Sequence, residues 1–83
     1  MLIQMNTIVL YTNGGQESDR LRQLLMSLGD EYHEYTLGED FTESQFRKEF
    51  GESAEYPQVS IGINHIGGLK QTLNYLKNKG KIL

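Results

Sequence analysis

Pro57 is the only proline of the chain, and it stands just before an alternating run, Val59, Ile61, Ile63. Alternation of apolar and small or polar residues reads as a strand with one buried face. A proline at the first residue of a strand is tolerated, because its missing N–H is not needed by the ladder there. Gly62 can carry a turn, and His65-Ile66 can form a short second strand. Gly67-Gly68 then interrupts the pattern before Leu69, Leu73 and Leu76, which repeat at i, i+4 and i+7 as on one face of a helix. The stretch from Glu55 onward therefore reads as strand, tight turn, strand, glycine pair, helix.

The residues before it punctuate themselves as clearly. Thr7-Ile8-Val9-Leu10-Tyr11-Thr12 is a near-continuous apolar run rich in β-branched and aromatic residues. That composition fits a central strand covered on both faces. Asn13-Gly14-Gly15 follows as a loop. From about Gln16, Leu21, Leu24, Leu25 and Leu28 fall on one helical face, and Gly29 stands where a helix ends. Arg20, Arg22 and Gln23 lie off that stripe and are expected to be solvated. Tyr32 to Leu37 reads as a second strand, with Tyr35 and Leu37 on one side and Tyr32 and Glu34 on the other. A right-handed crossover through the helix would set it parallel to the first. Thr42-Glu43-Ser44-Gln45 has the form of a capping box, and Phe46 and Phe50 share a face before Gly51. Glu39, Asp40 and Glu43 are read as a solvated acidic helix entry that suits the helix dipole.

The resulting order is strand, helix, strand, helix, strand, strand, helix, within one domain spanning residues 1–83. The formal net charge is −3, and no apolar run approaches the roughly 20 residues of a membrane span. Neither nucleic acid nor a membrane is expected as a partner. The Lys77, Lys79 and Lys81 group suits the negative end of the last helix better than a basic binding patch. Met1-Leu2-Ile3-Gln4-Met5 lacks the basic start and apolar centre of a signal peptide, so a cytoplasmic location is expected. His33 and His65 are not at metal-ligand spacing, and no metal site is expected.

Tyr56-Pro57-Gln58-Val59 followed by His65-Ile66-Gly67-Gly68 resembles the second half of a glutaredoxin, and Tyr11-Thr12 matches the end of that family's first strand. The resemblance runs from Thr7 to Lys77. It implies an α/β chain with a glutaredoxin-like thioredoxin fold, a four-stranded mixed sheet flanked by three helices. It also implies a cis bond before Pro57, a form that only about 5–6% of X–Pro bonds take in folded proteins. In the family, the segment before the cis proline and the glycine pair together bind glutathione. Carried over residue by residue, the ligand-binding positions are Thr12, Asn13, Gly15, Tyr56, Pro57, Gly67, Gly68, Leu69 and Lys70.

The chemistry of the family does not carry over. Its reactive cysteine lies at a helix N-terminus, where the dipole favours the thiolate. This chain has no cysteine. Keeping the leucine stripe and Gly29 in register places Gly15, Gln16, Glu17 and Ser18 over the Cys-x-x-Cys motif; anchoring on the strand shifts the match by one, to Gln16 through Asp19. Thiol–disulfide exchange requires a thiolate attacking a disulfide sulfur, and a serine hydroxyl cannot do this. No catalytic residue is therefore assigned. Two charged contacts of the family are also altered. Its aspartate after the glycine pair falls at Lys70, and its lysine after Tyr-Thr falls at Asn13. No cofactor is required, and glutathione binding is expected to be weak. The expected role is a redox-inactive binding module for glutathione, a small thiol peptide or an extended protein segment. The alternatives are a glutathione-dependent or partner-assisted enzyme of redox homeostasis and a purely structural interaction domain.

Overall fold

The computed structural model describes residues 7–29 and 31–80. Residues 1–5 and Lys81, both used above, lie outside them. The elements follow in the order β1 (Ile8–Thr12), α1 (Gln16–Ser27), β2 (Tyr32–Thr36), α2 (Glu43–Phe50), β3 (Gln58–Ile61), β4 (Asn64–Gly67) and α3 (Leu69–Asn78). The four strands form one mixed sheet in the order β2-β1-β3-β4. β1 and β2 are parallel, and β3 pairs antiparallel with both β1 and β4.

Strand alternation divides the side chains between two unlike faces. On one face Ile8 and Leu10 of β1 and Val59 and Ile61 of β3 pack with Leu21 and Leu25 of α1. Leu69 and Tyr75 of α3 close over the same aliphatic cluster. On the other face the Tyr11 ring meets Tyr35, Phe41 and Phe50, at centroid distances of 5.6, 5.6 and 4.9 Å. This second face is covered by α2, a helix of only 8 residues. Hence β1 is less evenly covered than its composition suggests: Ile8, Leu10 and Thr12 are buried, while Val9 and Tyr11 are half-buried.

Several local expectations are revised. Ile63 does not continue the alternation of β3; it sits in the turn to β4 and is 82% exposed. Gly62, with φ of +64°, reverses the chain one residue earlier. On α3 the inward position next to Leu76 is Thr72, which is fully buried, and Leu73 stands at the rim, 37% exposed. Arg22 is not simply solvated. Its Nε and Nη2 donate to the two carboxylate oxygens of Glu34 at 3.0 and 2.9 Å, and its Nη1 lies 2.9 Å from Asp19. This fork ties α1 to β2, though at such half-exposed sites each ion pair contributes no more than about 1 kcal/mol. The acidic entry to α2 is also more than solvated charge, since Asp40 accepts the Thr36 N–H at 2.8 Å. The capping box forms as read: Thr42 Oγ1 accepts from Gln45 N at 3.1 Å, and Gln45 Oε1 accepts from Thr42 N at 2.9 Å.

The Thr72 hydroxyl has no hydrogen-bond partner among the described residues. A buried, unpaired polar group costs about 1–3 kcal/mol. Thr72→Val keeps the shape and removes the hydroxyl, so it is expected to stabilise the domain by about 1 kcal/mol. Urea unfolding would register this as a higher midpoint at unchanged slope. A lower midpoint would mean that the hydroxyl is satisfied by buried water.

Candidate functional site

The segment between α2 and β3 carries no regular structure of its own, and one side chain organises it. Arg47, in the last turn of α2, donates from Nη1 to the carbonyl oxygens of Glu52, at 3.1 Å, and Ala54. Its Nη2 and Nε hold Glu43 Oε2 at 2.8 and 3.2 Å. The other oxygen of Glu43 accepts the hydroxyl proton of Tyr56 at 2.7 Å. The Tyr56 ring stacks on Phe46, with centroids 4.1 Å apart and planes 19° from parallel. Helix α2 therefore fixes the residue before Pro57 at both its ring and its hydroxyl. The Tyr56–Pro57 bond is cis, and Pro57 is buried.

This network sets two titrations. Burial first, then the hydrogen bond to Glu43, pushes the Tyr56 phenol up to about 12. The Tyr56 hydrogen bond, then Arg47, holds the Glu43 carboxyl below its ordinary range. The Tyr56 phenol is held protonated in the fold, so its stabilising contribution is complete below the unfolded value near 10 and is lost as pH rises toward 12. In a spectrophotometric titration Tyr56→Phe should remove a phenolate step near 12, and Glu43→Gln should bring that step down. An unchanged curve in both variants would contradict the network.

The glycine pair approaches this segment from β4 and α3. A Cβ on Gly67, whose φ is +123°, would lie 2.9 Å from Gln71 Cβ. Only glycine fits there without displacing the first turn of α3. A Cβ on Gly68 would lie 3.4 Å from the Pro57 carbonyl oxygen, at the near limit of ordinary contact. Gly68 N donates to Gln71 Oε1 at 3.1 Å, so the helix start is partly capped by its own side chain. A cavity of about 320 Å³ lies at this junction, lined by Glu17, residues 53–58 and residues 68–71.

The positions carried over from the resemblance divide into two groups. Tyr56, Pro57, Gly68, Leu69 and Lys70 line the cavity; Thr12, Asn13, Gly15 and Gly67 are not among its lining residues. Thr12 is buried and its hydroxyl accepts from Gly14 N at 2.9 Å. Asn13 Oδ1 accepts from Gly15 N at 3.0 Å. Gly15 is the N-cap of α1. Of the other three motif positions, Gln16 and Glu17 are exposed and Ser18 is buried, with no hydrogen-bond partner for its hydroxyl among the described residues. Glu55 and Gln71 line the cavity without having been singled out in the sequence. The capping-type spacing of Gly68 and Gln71 was a signal for the second; nothing in the sequence marks the first.

His65 Nε2 lies 3.1 Å from Glu49 Oε2, and its ring packs 4.6 Å from Phe50, so it belongs to the aromatic face. Among the described residues no three His, Cys, Asp or Glu side chains come together to hold a metal ion, and no helix is long and apolar enough to cross a membrane.

The chain matches no model of a known protein family and no curated protein. Solved structures do resemble it. The crystal structure of the buckwheat glutaredoxin–glutathione complex superposes with a TM-score of 0.73 at 23% identity, over 94% of this chain and 74% of that one. Actin interacting protein 5 (Aip5, wild type) gives a TM-score of 0.64 at 22% identity, over 89% of this chain and 85% of its own. With that superposition and a four-stranded mixed sheet flanked by three helices, the chain has a glutaredoxin-like thioredoxin fold.

Proposed function

We propose that this protein is a redox-inactive binding module that uses the groove between Tyr56-Pro57 and the start of α3 to hold glutathione or an extended thiol-containing segment. The observation that carries this reading is the cavity lined by the Tyr56-Pro57 backbone and the first turn of α3, in a chain without cysteine. Extended backbone beside a strand start can pair with a peptide as an added strand. The first amides of a helix have no partners within it and favour a carboxylate. The structural neighbour that binds glutathione supports the choice of ligand. Disulfide exchange is outside this chain's reach, because no thiolate can form on it.

Amide chemical-shift titration with reduced and oxidised glutathione tests the reading. Saturable shifts confined to Glu17, Tyr56, Gln58 and Gly68–Gln71, with millimolar affinity, are expected. In parallel, a mixed-disulfide reductase assay should show no rate above a protein-free blank. Absence of shifts at millimolar ligand would remove glutathione as the ligand, and a measurable reductase rate would overturn the inactive reading.

A further inference from the structure

The cavity has a charge pattern of its own. Among the residues that line it, Glu17, from the first turn of α1, and Glu55, just before the cis bond, bear carboxylates, and Lys70, in the first turn of α3, bears an ammonium. All three residues are exposed. Among the described residues none of the three side chains forms a hydrogen bond or an ion pair, whereas Arg22, Glu34, Glu43 and Arg47 are all paired within the fold. Three charged residues that line one cavity and have no internal partners are available to a ligand.

Glutathione matches this pattern poorly. At neutral pH it carries two carboxylates and one ammonium, which is the same sign balance as the cavity. One carboxylate can sit at Lys70 and the amides that open α3, but the other would enter a cavity that already holds Glu17 and Glu55. Like charges brought together weaken binding and work against the wrong partner. A ligand with the opposite balance, two cationic groups and one carboxylate, meets every charge with its complement.

We propose that the groove selects a short extended peptide that ends in a free carboxylate and carries a basic side chain, in preference to glutathione. The proposal rests on the groove-binding reading above and deepens it. The terminal carboxylate sits at Lys70 and the α3 amides, the peptide backbone lies along Tyr56-Pro57, and the basic groups face Glu17 and Glu55.

The test compares the tripeptides Ala-Arg-Ala and Ala-Glu-Ala, both with free termini, with reduced glutathione, following the amides of Glu17, Glu55, Lys70 and Gln71 at low salt. Ala-Arg-Ala should bind about tenfold tighter than Ala-Glu-Ala, the effect of exchanging one or two exposed attractive pairs for repulsive ones. The advantage should shrink as salt is added. Amidating the C-terminus of Ala-Arg-Ala should weaken its binding severalfold in the natural chain and less in Lys70→Gln, where only the α3 amides still favour the carboxylate. The double variant Glu17→Gln, Glu55→Gln should lose the preference for arginine. The double variant Glu31→Gln, Glu39→Gln, which makes the same change in net charge away from the cavity, should keep it. Equal affinities for the two tripeptides, tighter binding of glutathione, or equal effects of the two double variants would overturn the proposal while leaving groove binding intact. If neither the tripeptides nor glutathione shift these amides, both readings fail together.

Discussion

Phe46→Ala should remove about 3–5 kcal/mol of stability, the range for a buried phenylalanine emptied to a methyl group. Phe46 is 2% exposed. Its ring stacks on Tyr56 at 4.1 Å, tilts against Phe50 at 5.0 Å and lies 5.9 Å from Phe41. The Arg47 guanidinium lies over it at 5.4 Å. At 0.05–0.15 kcal/mol per residue a domain of this size holds about 4–12 kcal/mol in all, so the variant stands near the limit of folding. Urea unfolding measures the loss directly. The milder Phe46→Leu should cost about 1–2 kcal/mol and stay folded. It should also bring the Tyr56 phenol down from about 12, because the ring that shields it from water is smaller. A loss below about 1 kcal/mol in the alanine variant would mean that the aromatic face does not hold α2 in place.

Introducing a thiol at the start of α1 should have the largest chemical effect. Gly15 caps α1 with φ of −77°, a conformation open to any residue. An added Cβ would come 3.1 Å from Asn13 Oδ1, the end of a flexible side chain that can turn aside. A Gly15→Cys thiol at this helix end should titrate below the ordinary value of about 8.5. Glu17 and Asp19 in the same turn oppose part of that shift. With oxidised glutathione the variant should form a mixed disulfide where the natural chain forms none. Ser18→Cys is the control. Ser18 is 1% exposed, so a thiol there should be alkylated far more slowly, as buried cysteines are. Mass spectrometry and the pH dependence of alkylation decide both. Faster reaction at Ser18 than at Gly15 would show that the start of α1 does not activate a thiol placed at its cap.

The element order was legible because strong local signals bound each element: Gly29 and Gly51 after their helices, the capping box at Thr42, Pro57 before β3, and the glycine pair before α3. What hydrophobic periodicity could not resolve were exceptions to its own rule. Thr72 is buried while Leu73, one step along the same helix, is at the rim. A pattern that sorts residues as apolar or polar ranks those two the wrong way round. Ile63 continues the alternation of β3 in sequence, but Gly62 has already turned the chain. The contacts of Arg22 with Glu34 and of Tyr56 with Glu43 join residues 12 and 13 positions apart. Such pairs depend on how elements pack, which no local window contains. At the groove, the glycine pair, Tyr56 and Lys70 were named through resemblance, since each has an ordinary structural role when taken alone. Glu55 joins them only once the loop held by Arg47 is in place.

The Tyr56–Glu43 hydrogen bond also has an optical consequence. The chain contains no tryptophan, so its near-ultraviolet emission comes from its five tyrosines. Hydrogen bonding to a carboxylate lowers a phenol's emission, so Tyr56 should fluoresce weakly while Glu43 holds it. Tyr56 also lines the cavity. A ligand that draws the hydroxyl away from Glu43 would therefore raise the emission, giving the groove an intrinsic dye at the wall where binding would be felt.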